Sequence, residues 1–159
     1  MENFADLYSD YLISSSSYAT STGMANLLSI KHDKITRELS NGDYDSKFLW
    51  KQSKVYVKEL TQSKELITLS FDDSIEEKRY TDESELHCWH FDHTFGKSVR
   101  GVNFLTALIE VGTMRLPCAV EFVKKDLWKK DPKTGKEKRK SSVSKNELFR
   151  KMLRECNGK

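Results

Sequence analysis

Two adjacent carboxylates stand where an apolar, alternating segment meets polar residues. Asp72 and Asp73 follow residues 66–71 and precede Ser74. Carboxylates held on a rigid strand are ligands that hydrated Mg²⁺ or Mn²⁺ prefers, so the pair predicts a divalent-cation site. An Asp-Asp-Ser sequence also opens ordinary turns, and both interpretations are open from the residues alone. A period of two would send one carboxylate inward and the other outward.

A second polar group lies shortly after this pair. Five potential metal ligands fall within seven residues: His87, Cys88, His90, Asp92 and His93. Structural zinc sites usually combine two separated ligand pairs, and the other two cysteines of the chain lack such a spacing. Because Trp89 and Phe91 alternate with the polar residues, a strand buried on one side explains the segment without a metal.

The positive charge of the chain is concentrated in its last quarter. Residues 124–159 hold 14 Lys and Arg against 5 Asp and Glu, whereas the whole chain holds 27 against 24. Ten of the basic residues lie in a basic loop at 124–145, which would bind phosphates without reading sequence. The candidate DNA contacts there are Lys129, Lys130 and Arg139. A solvated loop without a partner is the other interpretation.

Apolar residues spaced three and four apart predict a helix over residues 2–13 and a longer one that is capped by Asp45 or Ser46 and runs through Leu60. Two shorter helices joined by a tight turn are predicted within residues 20–41, which is the size of a helix-turn-helix, and the N-cap of the first is Thr20, Ser21 or Thr22. The second helix would present His32, Lys34, Thr36 and Arg37 outward. These residue types contact bases and phosphates, and the candidate DNA contacts among them are Lys34, Thr36 and Arg37. Two short helices with a polar face are also common in helical bundles.

From residue 65 onward the apolar period changes to two. Strands are predicted over 66–73, 99–111 and 114–123, and they form a three-stranded antiparallel meander with the second strand at its centre. Ser144 and Glu147 form a capping box that opens a final helix. The predicted fold class is therefore α+β, with a helical region at 1–62 and a sheet region at 65–159.

The cysteines and the apolar runs bound the cellular setting. Three cysteines lie far apart, and the acidic N-terminus differs from a secretory signal, so we expect a reducing, cytoplasmic environment. The apolar run at 102–111 is shorter than the ~20 residues that a membrane-spanning helix needs. We therefore expect no membrane-spanning segment.

Several segments together resemble bacterial insertion-sequence transposases of the DDE type. They are the strand ending in Phe71-Asp72-Asp73-Ser74, residues 88–97 (CWHFDHTFGK) and residues 101–108 (GVNFLTAL). Residues 29–40 (SIKHDKITRELS) resemble the DNA-binding region of the same family. The resemblance extends from about Phe4 to Cys156 and is most specific over 70–123.

The resemblance implies the first part of a ribonuclease-H-like catalytic domain, and hence an incomplete fold. In that family the first catalytic carboxylate lies on the first strand and precedes Thr or Ser, which matches Asp73 as catalytic residue and metal ligand, with Asp72 as the alternative. The second Asp and the Glu of the family are absent. We therefore expect a truncated transposase that is inactive alone, whose full-length form binds insertion-sequence ends and cleaves and joins DNA with Mg²⁺ or Mn²⁺.

Two other functions are open. A non-catalytic DNA-binding fragment could inhibit transposition by occupying the element ends or by joining intact transposase subunits. A partner-dependent half-domain would instead have its open sheet edge completed by another chain.

Overall fold

The structure is a computed structural model that describes residues 4–16, 18–62 and 65–157. The chain is α+β and divides into two compact units, residues 1–43 and 44–159. Its helices are α1 (Phe4–Ser14), α2 (Ser21–Leu28), α3 (His32–Asn41), α4 (Ser46–Leu60) and α5 (Lys145–Asn157). Its strands are β1 (Ile67–Glu77), β2 (His87–Asp92), β3 (Lys97–Val111), β4 (Met114–Phe122), β5 (Leu127–Lys130) and β6 (Glu137–Lys140). None of these helices combines the length and the apolar composition that crossing a bilayer requires.

Tyr11 connects α1 to the start of α2 in the first unit. Its hydroxyl donates to the carbonyl of Thr20 and accepts from the amide of the same residue, both at 3.1 Å. The Thr20 hydroxyl accepts from the Gly23 amide at 2.9 Å and caps α2, as the sequence predicts. A Cβ on Gly23 would collide with the Tyr11 hydroxyl, so this close approach requires glycine.

The predicted pair of short helices is confirmed. Ser29 ends α2 in the left-handed conformation with φ 54°, and the Ile30 amide donates to the Ala25 carbonyl at 3.0 Å. Ile35 is fully buried and anchors α3 in a small core with Phe4, Tyr11, Met24 and Ala25. Residues 2 and 3 of the first predicted helix lie outside the described residues.

The second unit is organised around β3. β1 pairs antiparallel with one edge of β3, while β2 and β4 share the other edge. The central position predicted for this strand is confirmed, but the predicted three-stranded meander omits β2. Every second residue of β3 from Val99 to Val111 is buried, which defines an inner face of the sheet.

Two helices cover this inner face. Val57 of α4 and Met152 of α5 are buried in one core with Leu105, Ala107 and Cys118 of the sheet. Because α4 packs against β4, it belongs to the second unit, so the boundary falls between residues 43 and 44 and divides the helical region predicted for 1–62. The predicted capping box is confirmed, since the Glu147 carboxylate accepts from the amide and the hydroxyl of Ser144, both at 2.8 Å.

The basic segment 124–145 contains a hairpin rather than an irregular loop. β5 pairs with β6, and the guanidinium of Arg139 lies over the ring of Trp128 at 4.4 Å. Asp131 stabilises the turn by accepting from the amides of Lys133 and Thr134, at 2.9 and 3.2 Å. A hydrogen bond from Lys138, helped by these amides, lowers the pKa of Asp131 to about 2.

We predict that Met152→Ala destabilises the second unit by about 2–5 kcal/mol, because Met152 is fully buried between α5 and the sheet. Urea unfolding followed by tryptophan fluorescence measures this unit alone, since the three tryptophans lie at 50, 89 and 128. Val55→Ala, at an exposed position of α4, is the matched control and should change stability by less than about 0.5 kcal/mol. Equal effects of the two substitutions would contradict this core.

Candidate functional site

The two carboxylates lie in the middle of β1. Asp72 is paired with Thr106 and Asp73 with Leu105, and the strand continues to Glu77. The turn interpretation and the prediction that the strand ends at 73 are therefore wrong. The reason is that β3 extends far enough to pair with β1 beyond the carboxylates.

The two carboxylates face opposite sides of the sheet, as the alternation predicts. Asp73 shares the inner face with Phe71, whose ring packs 4.4 Å from that of Phe149 on α5. Asp72 lies on the other face and accepts a hydrogen bond from the Ser74 hydroxyl at 2.8 Å. Of the pair, Asp73 is thus the carboxylate beneath α5.

Both oxygens of Asp73 are engaged by neighbouring elements. Oδ1 accepts from the Asn103 side-chain amide of β3 at 2.7 Å, and Oδ2 accepts from the ammonium of Lys145 at 2.6 Å. Lys145 is the first residue of α5. The side chains of Asp73 and Lys145 are 44% and 41% exposed, so solvent reaches this ion pair. The carboxylate is fixed from two sides and remains accessible.

Asn103 is a site residue that the sequence reasoning missed. It is fully buried, and its Nδ2 donates both to Asp73 and, at 3.1 Å, to the carbonyl of Ser74. Its Oδ1 is buried without a hydrogen-bond partner among the described residues. Such an atom costs about 1–3 kcal/mol, so packing alone does not account for it. The signal in the sequence is an amide among the alternate residues 99–111 of β3, which are otherwise apolar or glycine.

Asp73 supplies one carboxylate of the type that Mg²⁺ and Mn²⁺ accept, and its two oxygens are engaged by the Asn103 amide and the Lys145 ammonium. The unpartnered Oδ1 of Asn103 is also an acceptable donor type, but Asn103 contacts Asp73 through its Nδ2. No three His, Cys, Asp or Glu side chains among the described residues converge to hold a metal. These residues therefore fit Asp73 as one ligand and do not by themselves form a two-metal site.

The five potential metal ligands between His87 and His93 do not form a common metal site among the described residues. Cys88 and His90 are buried on the inner face, with the Cys88 sulfur 3.3 Å from Nε2 of His90, whereas Trp89 and Phe91 are exposed. Asp92 instead caps the following turn. The segment is a strand as predicted, but its aromatic side, Trp89 and Phe91, is the exposed one, whereas Cys88 and His90 lie inward.

Lysines shape the electrostatics beside this cysteine and histidine. Burial, followed by the charges of Lys125 and Lys145, lowers the pKa of His90 from 6.5 to about 4. Burial also raises the pKa of the Cys88 thiol. Lys125 donates to the carbonyl of Trp89 and thereby joins the segment after β4 to β2. His90 is consequently neutral at physiological pH.

The predicted groove-reading residues lie on α3 in the first unit. Lys34, Thr36 and Arg37 are all exposed, as the helical pattern predicts. Lys34 and Arg37 line a common depression, which also contains Asp33 and Glu38. Thr36 is not in this depression, and its hydroxyl donates to the carbonyl of His32 at 3.3 Å. The structure thus brings two of the three side chains together.

The three residues of the basic segment that are predicted to contact DNA differ in their exposure and in their ion pairs. Lys129 and Lys130 are exposed on β5 and form no ion pair among the described residues. Arg139 is instead held between the Trp128 ring and the carboxylate of Glu83, which its Nε contacts at 3.0 Å. Its side chain is only 19% exposed, so Arg139 stabilises the hairpin against the segment before β2.

Comparison with protein-family models, with curated proteins and with solved structures gives no match to this chain.

We predict that buried His90 makes the second unit less stable as the pH falls from about 6.5 to about 4. The unfolded histidine binds a proton in this interval and the folded one does not, so protons favour unfolding. The contribution is about 3 kcal/mol across the interval. Tryptophan-detected urea unfolding at several pH values should show a shallower pH dependence for His90→Gln. An unchanged slope would contradict the pKa shift.

Proposed function

We propose that this chain is the N-terminal portion of a DDE transposase, with a DNA-binding helical unit followed by the first part of a ribonuclease-H-like catalytic domain. The chain supplies the first carboxylate, Asp73, and the remaining two would come from sequence that follows it. In this form the chain binds DNA and does not cleave it. Its partners are the ends of an insertion sequence and intact transposase subunits.

The position of Asp73 carries this proposal. The carboxylate lies in mid-strand on the inner face of an antiparallel sheet, where Asn103 and Lys145 engage it from two other elements. A carboxylate used only to open a turn would lie at a strand end and would not need a buried amide. Holding a ligand by rigid neighbours is what a catalytic metal site requires.

The residues around Asp73 have separable roles in the proposed site. Asn103 orients the carboxylate through Oδ1, and Lys145 neutralises its charge through Oδ2. In a completed site, divalent cations held by Asp73 in place of the Lys145 ammonium, together with the later carboxylates, would activate the attacking oxygen and stabilise the leaving oxygen of a phosphodiester. A single carboxylate cannot hold two cations, which is why we assign no cleavage to this chain alone.

The helical unit supports the DNA-binding half of the proposal. α2 and α3 are joined by a tight turn, and α3 is anchored by buried Ile35 while Lys34 and Arg37 face solvent. A helix held in this way can enter the major groove, where Arg reads a guanine edge and Lys contacts phosphate. This unit alone would let the chain occupy element ends and inhibit an intact transposase.

We predict that the full chain enriches a specific duplex from a randomised library, and that Arg37→Ala weakens binding of that duplex by about 5- to 100-fold. Lys34→Ala should weaken binding to all duplexes and reduce its salt dependence, because it removes a phosphate contact. Fluorescence anisotropy measures both effects. Lys54→Ala, at an exposed lysine of α4, is the matched control. Failure to enrich any duplex, or equal binding by Arg37→Ala and Lys54→Ala, would refute this assignment.

We predict that Asp73→Ala leaves duplex binding within about twofold of the original chain, since Asp73 and α3 belong to different units. In a transposase completed with the downstream catalytic segment, the same substitution should abolish metal-dependent cleavage because it removes a metal ligand. Asp72→Ala, on the opposite face, is the control and should retain cleavage. Cleavage that survives Asp73→Ala and fails in Asp72→Ala would transfer the catalytic role to Asp72.

A further inference from the structure

A cavity separates β2 from the β5–β6 hairpin. Its volume is about 600 Å³, within the range of roughly 300–1,000 Å³ typical of ligand sites. Trp89 and Phe91 of β2 line one wall, and Trp128 and Lys138 of the hairpin line the other. The cavity belongs to the second unit, whereas the helices to which we assign duplex recognition belong to the first.

Three aromatic side chains that line the cavity are about half exposed. Trp89, Phe91 and Trp128 are 56%, 52% and 56% exposed. The inner face of β2 is occupied by the smaller Cys88 and His90, so the large rings of this strand point away from the core. A cluster of exposed aromatic rings is a marker of a binding surface.

Trp128 is held in a fixed orientation. Arg139 lies over its ring, and Glu83 holds the Arg139 guanidinium through an ion pair of 3.0 Å. The guanidinium also donates to the Lys125 carbonyl at 3.4 Å. A ring fixed in this way loses little conformational freedom when a flat ligand stacks beside it.

The cavity lining carries both signs of charge, with Lys125, Lys138 and Arg139 beside Glu83 and Glu137, and the segment that contains the hairpin is basic. Residues 124–145 contain ten Lys and Arg against three Asp and Glu. Lys138 is paired with Asp131, and Arg139 with Glu83, but Lys129, Lys130 and Lys136 are exposed and form no ion pair among the described residues. These exposed ammonium groups can neutralise a phosphate backbone that runs along the hairpin.

We propose that this cavity binds single-stranded nucleic acid, whose unpaired bases stack on Trp89, Phe91 and Trp128 while the hairpin lysines contact its phosphates. Aromatic rings beside a basic track are the recurring means of binding single strands without sequence preference. A duplex does not satisfy this site, because its base faces are already stacked. The site goes beyond end recognition by α3 and is independent of the proposed transposase function.

The test measures binding of labelled oligothymidylate of about 15 nucleotides to the full chain by anisotropy and tryptophan quenching. An abasic oligomer of the same length supplies the phosphates without the bases. We expect oligothymidylate to bind at least about fivefold more tightly than the abasic oligomer. Oligouridylate distinguishes the source, since a preference for either strand identifies DNA or RNA as the ligand.

Variants locate the binding at the cavity. Trp128→Ala should weaken oligothymidylate binding at least about fivefold, whereas Trp128→Phe should keep most of it because phenylalanine also stacks. Trp89→Ala tests the opposite wall without altering the hairpin. Tyr80→Ala is the matched control, because Tyr80 is 98% exposed and does not line the cavity. Far-UV circular dichroism verifies that each variant is folded.

Three results would overturn the proposal: no binding of oligothymidylate, equal binding of the abasic oligomer, or equal effects of Trp128→Ala and Tyr80→Ala. The outcome is independent of duplex recognition, since Arg37→Ala should leave oligothymidylate binding unchanged. Loss of both kinds of binding in Arg37→Ala would place the single-strand site on α3 and would also contradict the proposal.

Discussion

The backbone pairing of β3 is the constraint on which the second unit depends. β1, β2 and β4 each pair with this fifteen-residue strand and with no other strand among the described residues. Gly101 permits the close pairing with β1, because a Cβ there would collide with the backbone oxygen of Glu76. Since β3 fixes the register of its three neighbours, it also fixes which of their side chains meet on the inner face. Asp73 of β1 and His90 of β2 both lie on the inner face because each strand is paired in register with β3.

The inner face of the sheet changes from apolar to polar along the length of β3. At one end Leu105, Ala107 and Ile109 form an apolar core with α4 and α5. At the other end Asn103 introduces an amide that holds Asp73, and the adjoining segments contribute lysines. An apolar residue at 103 would remove the buried oxygen that has no partner, at the cost of the hydrogen bond to Asp73. The chain therefore accepts a local cost in stability where it positions an accessible carboxylate.

The sequence predicts the parts of this structure that depend on local patterns. Thr20, Asp45 and Ser144 cap their helices and are among the caps that the sequence offers, and the nearly continuous apolar run of β3 predicts its central position. The continuation of β1 through Asp72 and Asp73 depends on pairing with a strand some thirty residues away, which local patterns do not contain. Local patterns also fail for β2. The size of Trp89 and Phe91 would place these rings on the buried face, but Cys88 and His90 occupy that face. Asp131-Pro132 and Gly135 form a turn pattern that indicates the β5–β6 hairpin. The lysines around this pattern are equally typical of a solvated loop, so the hairpin was not predicted.

Under the proposed function, the first unit recognises DNA and the second positions Asp73 as a catalytic carboxylate. The claim that Asp73 is the first carboxylate of a transposase predicts where the others are encoded. The most direct measurement is the nucleotide sequence after codon 159, read in all three frames. The account predicts a segment that encodes an Asp at the end of a strand, followed by a helix carrying Tyr, Arg, Glu and Lys in the order of the family motif. A downstream sequence with neither feature in any frame would contradict the account.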